Sequence, residues 1–478
     1  MFFAWVLRSL DFSFIHRIAK STTDDFMKLL RKWLLAEVAL VFFSTSVRAQ
    51  QYNIFHTTLE NGLQVIAIEN PIVPLATIEI AVRNGAFTEP PEFDGLSHLY
   101  EHMFFKANAK LPDQESFLDR VGDLGISWNG TTREEVVNYY FTLPKENLRD
   151  GLQFMNDAIR TPLFLEEELI RERPVVIGEY DRQESNPFFH LLTAVNKKLW
   201  YKYYSHKNII GDRQVILTAD REKMKTIQQR YYVPNNSALL IAGDVNHEKA
   251  FKWAKKIFNS WPRGEDPFVK FPAPDHPALK KSEMVIVEKP VNAVTILINL
   301  HGPSVRKDPQ ATYAADVFSY ILSQPNSKFY QELIDTGVLT GVSFSYYTLD
   351  KTGPITLLAQ TTADKYNAAV QAIWAQVQKF TDPDYYTDEQ LANSKHQLEI
   401  NEIYTHEKPS AYAHTIGFWW SVANLDYYLN YVDNLRQVSR EDINAYVRRY
   451  IQNAPYIIGV MLSPEDRTKL GLDEGKSL

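Results

Sequence analysis

At 478 residues the chain is too long for one hydrophobic core, so two or more domains are expected. Its composition, 45% hydrophobic and 23% charged, is that of a globular protein, and the absence of cysteine excludes disulfide frameworks, zinc ribbons and thiol nucleophiles. A formal charge of −7 without a basic stripe argues against nucleic-acid binding and favours cationic ligands.

In chain order, the first feature is a candidate export signal. Met27 opens MKLLRK, an apolar run follows from Trp33 to Phe43, and STSVRA ends in Val47-Arg48-Ala49. This order of basic, apolar and polar regions predicts a secretory leader over residues 1–49, cleaved after Ala49, and therefore a periplasmic protein. An N-terminal membrane anchor is the alternative, disfavoured because the run is too short to span a bilayer as a helix. Residues 1–26 do not fit a leader, which makes Met27 the expected start. Without residues 1–49 the chain keeps 44 basic and 54 acidic residues, a balance of −10.

Residues 63–82, LQVIAIENPIVPLATIEIAV, predict a strand, a proline turn and a second strand. GLSHLYEHMFFKA (95–107) then predicts a helix on which His98, Glu101 and His102 share one narrow arc. Two neutral imidazoles one turn apart can grip one metal ion, and a neighbouring carboxylate can act on water held by that ion. The pattern is HxxEH, the inverse of HExxH. A pair of histidines satisfied on a helix surface is the bland alternative. Residues 114–125, 148–160, 246–261 and 364–380 carry apolar residues at spacings of three and four and predict further helices. A metal site needs a third ligand, and a carboxylate suits zinc. Within residues 166–183, Glu172 and Glu179 lie seven apart, two helical turns on one face. Pro174 between them either kinks that helix or starts a new one.

WPRGEDPFVKFPAPDHPALKK (261–281) holds five prolines and predicts an extended linker. Its flanks resemble each other. EMVIVEKPVNAVTILINLHG (283–302) repeats residues 63–82 about 220 residues later, and RYIQNAPYIIGVMLSP (449–464) matches RYYVPNNSALLIAGDV (230–245) at an offset of 219. Two matches in one register argue for a duplicated domain. The expected fold is α+β, with two homologous α/β sandwiches, each a mainly antiparallel sheet with helices on one face. The expected boundaries are 50–261 for the first domain, 262–281 for the linker and 282–478 for the second.

These residues resemble the pitrilysin/insulinase family of zinc peptidases, in its processing-peptidase branch. That family carries HxxEH followed downstream by a glutamate ligand, with another glutamate seven residues before it. Here 76 residues separate His102 from Glu179, and Glu172 takes the earlier place. NGTTREEVVNYY is similar to a family strand motif, with Asn129, Thr132, Glu135 and Tyr139 at the sheet edge where substrate docks. The similarity covers nearly all of residues 52–465. It implies that His98, His102 and Glu179 bind one Zn2+ per chain, that Glu101 is the general base, and that Glu172 supports the site from behind, orienting a ligand or the base. It also implies that Asn129 contacts substrate, although locally a turn-forming Asn before Gly130 reads as well. The implied architecture is half of a clamshell.

The resemblance breaks in the second half. Self-sufficient members place an Arg and a Tyr seven residues apart there, to stabilise the oxyanion and hold substrate. At YQELIDTGVLTGVS (330–343) those places fall on Ile334 and Gly341. Arg-x6-Tyr also occurs at Arg306/Tyr313 and Arg449/Tyr456, where it reads as coincidence, and His406 and Glu407 in THEK read as an exposed helix segment. The resemblance therefore implies a peptidase subunit for unfolded peptides, completed by a homologous Arg/Tyr-bearing partner in a heterodimer. The alternatives are a self-sufficient homodimer and a non-catalytic peptide-binding or assembly subunit.

Overall fold

Two sheets organise the chain, and the second repeats the first. β1 (Asn53–Thr58), β2 (Gln64–Glu69), β3 (Leu75–Val82), β4 (Ser127–Thr132), β5 (Val137–Pro144) and β6 (Ser237–Gly243) form one sheet in the order β1-β2-β6-β3-β5-β4. β7 (Glu283–Glu288), β8 (Val294–His301), β9 (Gly341–Tyr346), β10 (Pro354–Thr361) and β11 (Tyr456–Leu462) form the other, in the order β7-β11-β8-β10-β9. In both, the strands on either side of the predicted proline turn are not neighbours. The last strand of the half inserts between them, parallel to the first and antiparallel to the second. The repeat keeps strict register: Gln64, Leu75 and Ser237 begin strands whose counterparts begin at Glu283, Val294 and Tyr456, each 219 residues on. The computed structural model describes residues 53–473, so the expected leader at residues 1–49 lies outside the described residues.

The longer helices are α1 (Leu96–Phe104), α2 (Gln114–Leu124), α3 (Leu148–Arg160), α4 (Glu166–Glu184), α5 (Pro187–Leu199), α6 (Arg221–Tyr231) and α7 (His247–Phe258), then α8 (Pro309–Ser323), α9 (Tyr366–Lys379), α10 (Asp388–Thr405) and α11 (Pro409–Val422). Within the Pro-rich stretch the only helix among the described residues is the four-residue turn Pro267–Lys270. One face of the first sheet packs on α1, α3 and α7 through Ile78, Ile80, Leu99, Met103, Leu152 and Ala254. The sequence put helices on one face only; the structure covers the other face too, by exchange. α5 lies on the second sheet, with Leu191, Val195 and Leu199 against Val285, Leu297, Ile457 and Met461. α11 returns to the first, with Ala413, Ile416 and Trp420 against Ile66, Ala81 and Leu240. Burial on both faces explains why β2, β6 and β11 read as unbroken apolar runs and not as alternating ones.

Beneath α11, β3 buries one carboxyl. Glu79 is fully buried, its Oε1 accepts a hydrogen bond from Asn138 Nδ2 at 2.6 Å, and His414 Nδ1 lies 3.7 Å away. Burial pushes the Glu79 carboxyl up to about 8, with the Asn138 hydrogen bond opposing. A carboxyl raised in the folded state stabilises the fold below its ordinary value, and that stability is lost as pH rises through about 8. Glu79→Gln should remove this loss. Urea denaturation should show the variant gaining on the parent by on the order of 3 kcal/mol between pH 5 and pH 9. A gap that stays constant across that range refutes the assignment.

Candidate metal centre

The pattern of α1 decides which side chains it presents. Leu96, Leu99, Tyr100, Met103 and Phe104 recur at three and four and are buried in the first core. The opposite face is therefore left to His98, Glu101 and His102. α4 packs beside it, anchored by the buried Leu169, Val176 and Ile177, and turns Glu172 and Glu179 toward α1. Of the two possibilities open for Pro174, a new helix start does not occur: one helix runs from Glu166 to Glu184 with Pro174 inside it.

His98 Nε2 and His102 Nε2 stand 3.3 Å apart, and Glu179 Oε2 lies 3.4 Å from the first and 3.9 Å from the second. At zinc–ligand bonds of 2.0–2.1 Å, the edge of a tetrahedron is about 3.3–3.4 Å. Three donors of zinc's preferred kinds thus already stand at nearly tetrahedral separations, and the residues present fit that ion. Behind them His102 Nδ1 meets Glu172 Oε1 at 2.8 Å, which leaves Nε2 as the free donor atom. Glu172 Oε2 in turn meets Lys106 Nζ at 2.5 Å. His98 Nδ1, also buried, has no such partner among the described residues.

The electrostatics favour a cation. Burial works against a charged His102, but the Glu172 hydrogen bond and the carboxylates of Glu101, Glu172 and Glu179 raise its pKa above the ordinary value. The His98 hydrogen bond holds Glu179 below the usual carboxylate range. Glu101 goes the other way: burial raises it, against the Thr132 hydrogen bond and the two imidazoles. Thr132 Oγ1 donates to Glu101 Oε2 at 2.6 Å. Gly130 passes so close that a Cβ there would lie 2.7 Å from Glu101 Cγ. β4, an edge strand, therefore presses directly on the carboxylate. His98, Glu101 and Glu179 open into a cleft of about 490 Å3, walled by α5 and residues 204–210.

The fold thus gathers His98, Glu101, His102, Glu172 and Glu179. Asn129 is elsewhere, exposed on β4 outside the cleft lining, its Oδ1 accepting from the Gly130 N–H at 3.0 Å. Tyr139 is buried in the core with its hydroxyl 2.7 Å from that of Tyr232. Glu135 faces the second half, where it accepts the N–H groups of Asp350 and Lys351 at 2.7 Å each. Lys106 escaped the sequence reading although it stands four residues after His102, the one signal that could have found it.

In the second half Ile334 packs partly buried against the core and Gly341 opens β9. Arg306 pairs with Asp350 and donates to the Ser421 carbonyl, and Arg449 pairs with Asp308. His406 is half-buried, 3.2 Å from Glu402, whereas Glu407 and Lys408 of the same stretch are exposed as the sequence suggested. No helix among the described residues is long and apolar enough to cross a membrane.

Comparison with known proteins agrees with this geometry. Residues 64–213 match the model of the insulinase family (peptidase family M16), and residues 218–398 match the model described as the peptidase M16 inactive domain. An uncharacterized zinc protease of Rickettsia felis is 24% identical over 379 residues, 77% of this chain and 87% of its own. The beta subunit of the mitochondrial processing peptidase of Dictyostelium discoideum is 26% identical over 202 residues, covering 42% of this chain and 43% of its own. A crystal structure of a protease from Helicobacter pylori shares the fold at a TM-score of 0.78 and 21% identity, covering 86% of this chain and all of that one. The periplasmic protease PqqL of Escherichia coli does so at a TM-score of 0.69 and 16% identity, over 88% of this chain and 48% of that one. Two sheets in one repeat, the paired helices α1 and α4, and both family matches lead to one conclusion: the chain belongs to the insulinase family of peptidases, family M16.

Proposed function

We propose that this chain is a zinc-dependent endopeptidase subunit acting on unfolded peptides. The observation that carries the reading is the convergence of His98 Nε2, His102 Nε2 and Glu179 Oε2, with Glu101 alongside. Zinc held by these three would supply a Lewis acid that brings the acidity of water toward neutrality. Glu101 takes the proton of the attacking water and delivers it to the leaving amine. Glu172 fixes the tautomer of His102, and β4 offers its free edge, with Asn129 on it, to an extended peptide. The duplicated halves, divided at residues 262–281, form one side of a chamber.

A homologous partner supplies the Arg and Tyr that Ile334 and Gly341 replace. Two observations support this: Arg306 and Arg449 are both engaged in ion pairs, and a processing-peptidase beta subunit is among the relatives. The predicted leader and the periplasmic PqqL structure support export to the periplasm. The test is to purify the chain from residue 50, measure its zinc content, and assay peptide cleavage alone and with a homologous Arg/Tyr-bearing chain. One zinc per chain, removed by a chelator together with activity, and a gain of at least about tenfold on adding the partner are expected. Zinc-free protein that still cleaves refutes the metal reading, and full turnover by the lone chain refutes the partner.

A further inference from the structure

The helix that carries both histidines cannot cap itself. Its N-cap, Gly95, has a φ of 90° and no side chain to offer, and no other residue fits there. A Cβ at residue 95 would sit 2.5 Å from the Cα of Gly211. The backbone N–H groups of the first turn must find acceptors elsewhere. One side chain takes two of them. Glu89 Oε2 accepts the Gly95 N–H at 2.7 Å and Oε1 accepts the Ser97 N–H at 2.5 Å. Glu89 is 3% exposed, and its own carbonyl accepts from Ser205 Oγ at 2.7 Å. Two residues before it, the Phe87 N–H donates to the Glu134 carbonyl at 2.9 Å. The carboxyl is thus seated in a frame that also builds the cleft wall: burial pushes it up to about 8, against the two N–H groups of the helix start that its oxygens accept.

We propose that Glu89 is a positioning residue for the metal: it fixes the start and rotation of α1, and so keeps His98 Nε2 and His102 Nε2 at the spacing a single ion needs. Ser97 directly precedes His98 in the first turn of α1, so a shift of the Ser97 amide carries the backbone of the first ligand with it. The sequence gives no local sign of this, because Glu89 lies outside the helix and acts across a loop. The inference rests on the zinc reading above and adds a residue that touches neither metal nor substrate.

Glu89→Gln tests it. The amide keeps the size but offers one oxygen and turns an NH2 toward the second N–H. Zinc affinity, measured by chelator competition, should fall about tenfold or more, as when the support behind a ligand is lost. The visible spectrum of the cobalt-substituted protein should also change, reporting altered ligand geometry. Glu79→Gln is the control, since it replaces an equally buried carboxyl on the opposite face of the sheet, beneath α11, and it should leave both readouts unmoved. If Glu89→Gln does not fold, Glu89→Asp, which reaches only one of the two N–H groups, should show an intermediate loss. Unchanged zinc affinity in the variant that folds overturns the proposal, and so does an equal loss in Glu79→Gln. If the parent itself takes up no zinc, the zinc reading fails first and this inference fails with it.

Discussion

Glu101→Gln is expected to abolish peptide hydrolysis while zinc stays bound. The three donor atoms belong to His98, His102 and Glu179, and none is removed by the change. Gln matches Glu in shape, so Thr132 Oγ1 and the closely passing Gly130 keep it in place. What is lost is the ability to accept a proton from water and hand it on. Positioned general acid–base groups contribute about 10²–10⁴-fold, and this one serves both steps, so the upper part of that range is expected. Zinc content by elemental analysis and turnover of an unstructured peptide are the two measurements. Unchanged zinc with residual activity above about a tenth of the parent would show that another group is the base.

The pH dependence has a definite sign. Burial raises Glu101 and the Thr132 hydrogen bond lowers it. The base works only when ionised, so activity is lost as pH falls through its pKa. Removing the opposing hydrogen bond with Thr132→Val should move the acid limb of kcat/KM to higher pH. A limb that moves to lower pH contradicts the assignment of Glu101.

The metal face was legible because two periodicities coincide. The apolar residues of α1 recur at three and four, which leaves positions 98, 101 and 102 together on the other side, and the seven-residue step from Glu172 to Glu179 does the same on α4. The duplicated strands were legible for a similar reason, since burial on both faces writes an apolar run twice. What the sequence hid depends on contacts between distant segments. α5 reads as an ordinary amphipathic helix and α11 as an apolar one, and nothing local says that each covers the other half's sheet. Glu89 and Lys106 act through a loop and a helix end. Glu135 was placed at the substrate edge because the motif around it is continuous in sequence. The chain turns after β4, however, and carries that carboxylate into the joint between the halves.

That joint supports the second large effect. Glu135 is 2% exposed, and its two oxygens accept the N–H groups of Asp350 and Lys351 in the loop between β9 and β10. Its carbonyl accepts from Ser421 Oγ at 2.6 Å, which ties in α11 as well. Lys207, buried alongside, has its Nζ 4.0 Å from Glu135 and donates to the Thr352 carbonyl at 2.7 Å. Thr352 holds a φ of 71°, a left-handed conformation costly for a β-branched residue, so the loop keeps that shape only while its surroundings hold it. Burial pushes Glu135 up to about 7 and Lys207 below its ordinary value, which shows that desolvation outweighs their attraction. The group is therefore a modest source of net stability when whole and a costly one to break. Glu135→Ala strands an ammonium and two N–H groups in the interior, and should lower stability by about 3–5 kcal/mol in urea denaturation. Glu135→Gln, which still accepts one N–H, should lose less. Zinc content should not change, because α1 and α4 pack within the first core. Lys207 also lines the metal cleft, so activity should fall in a protein whose metal is intact. A loss below about 1 kcal/mol would mean that the exchanged helices α5 and α11 alone hold the halves, with the Glu135 contacts adding nothing.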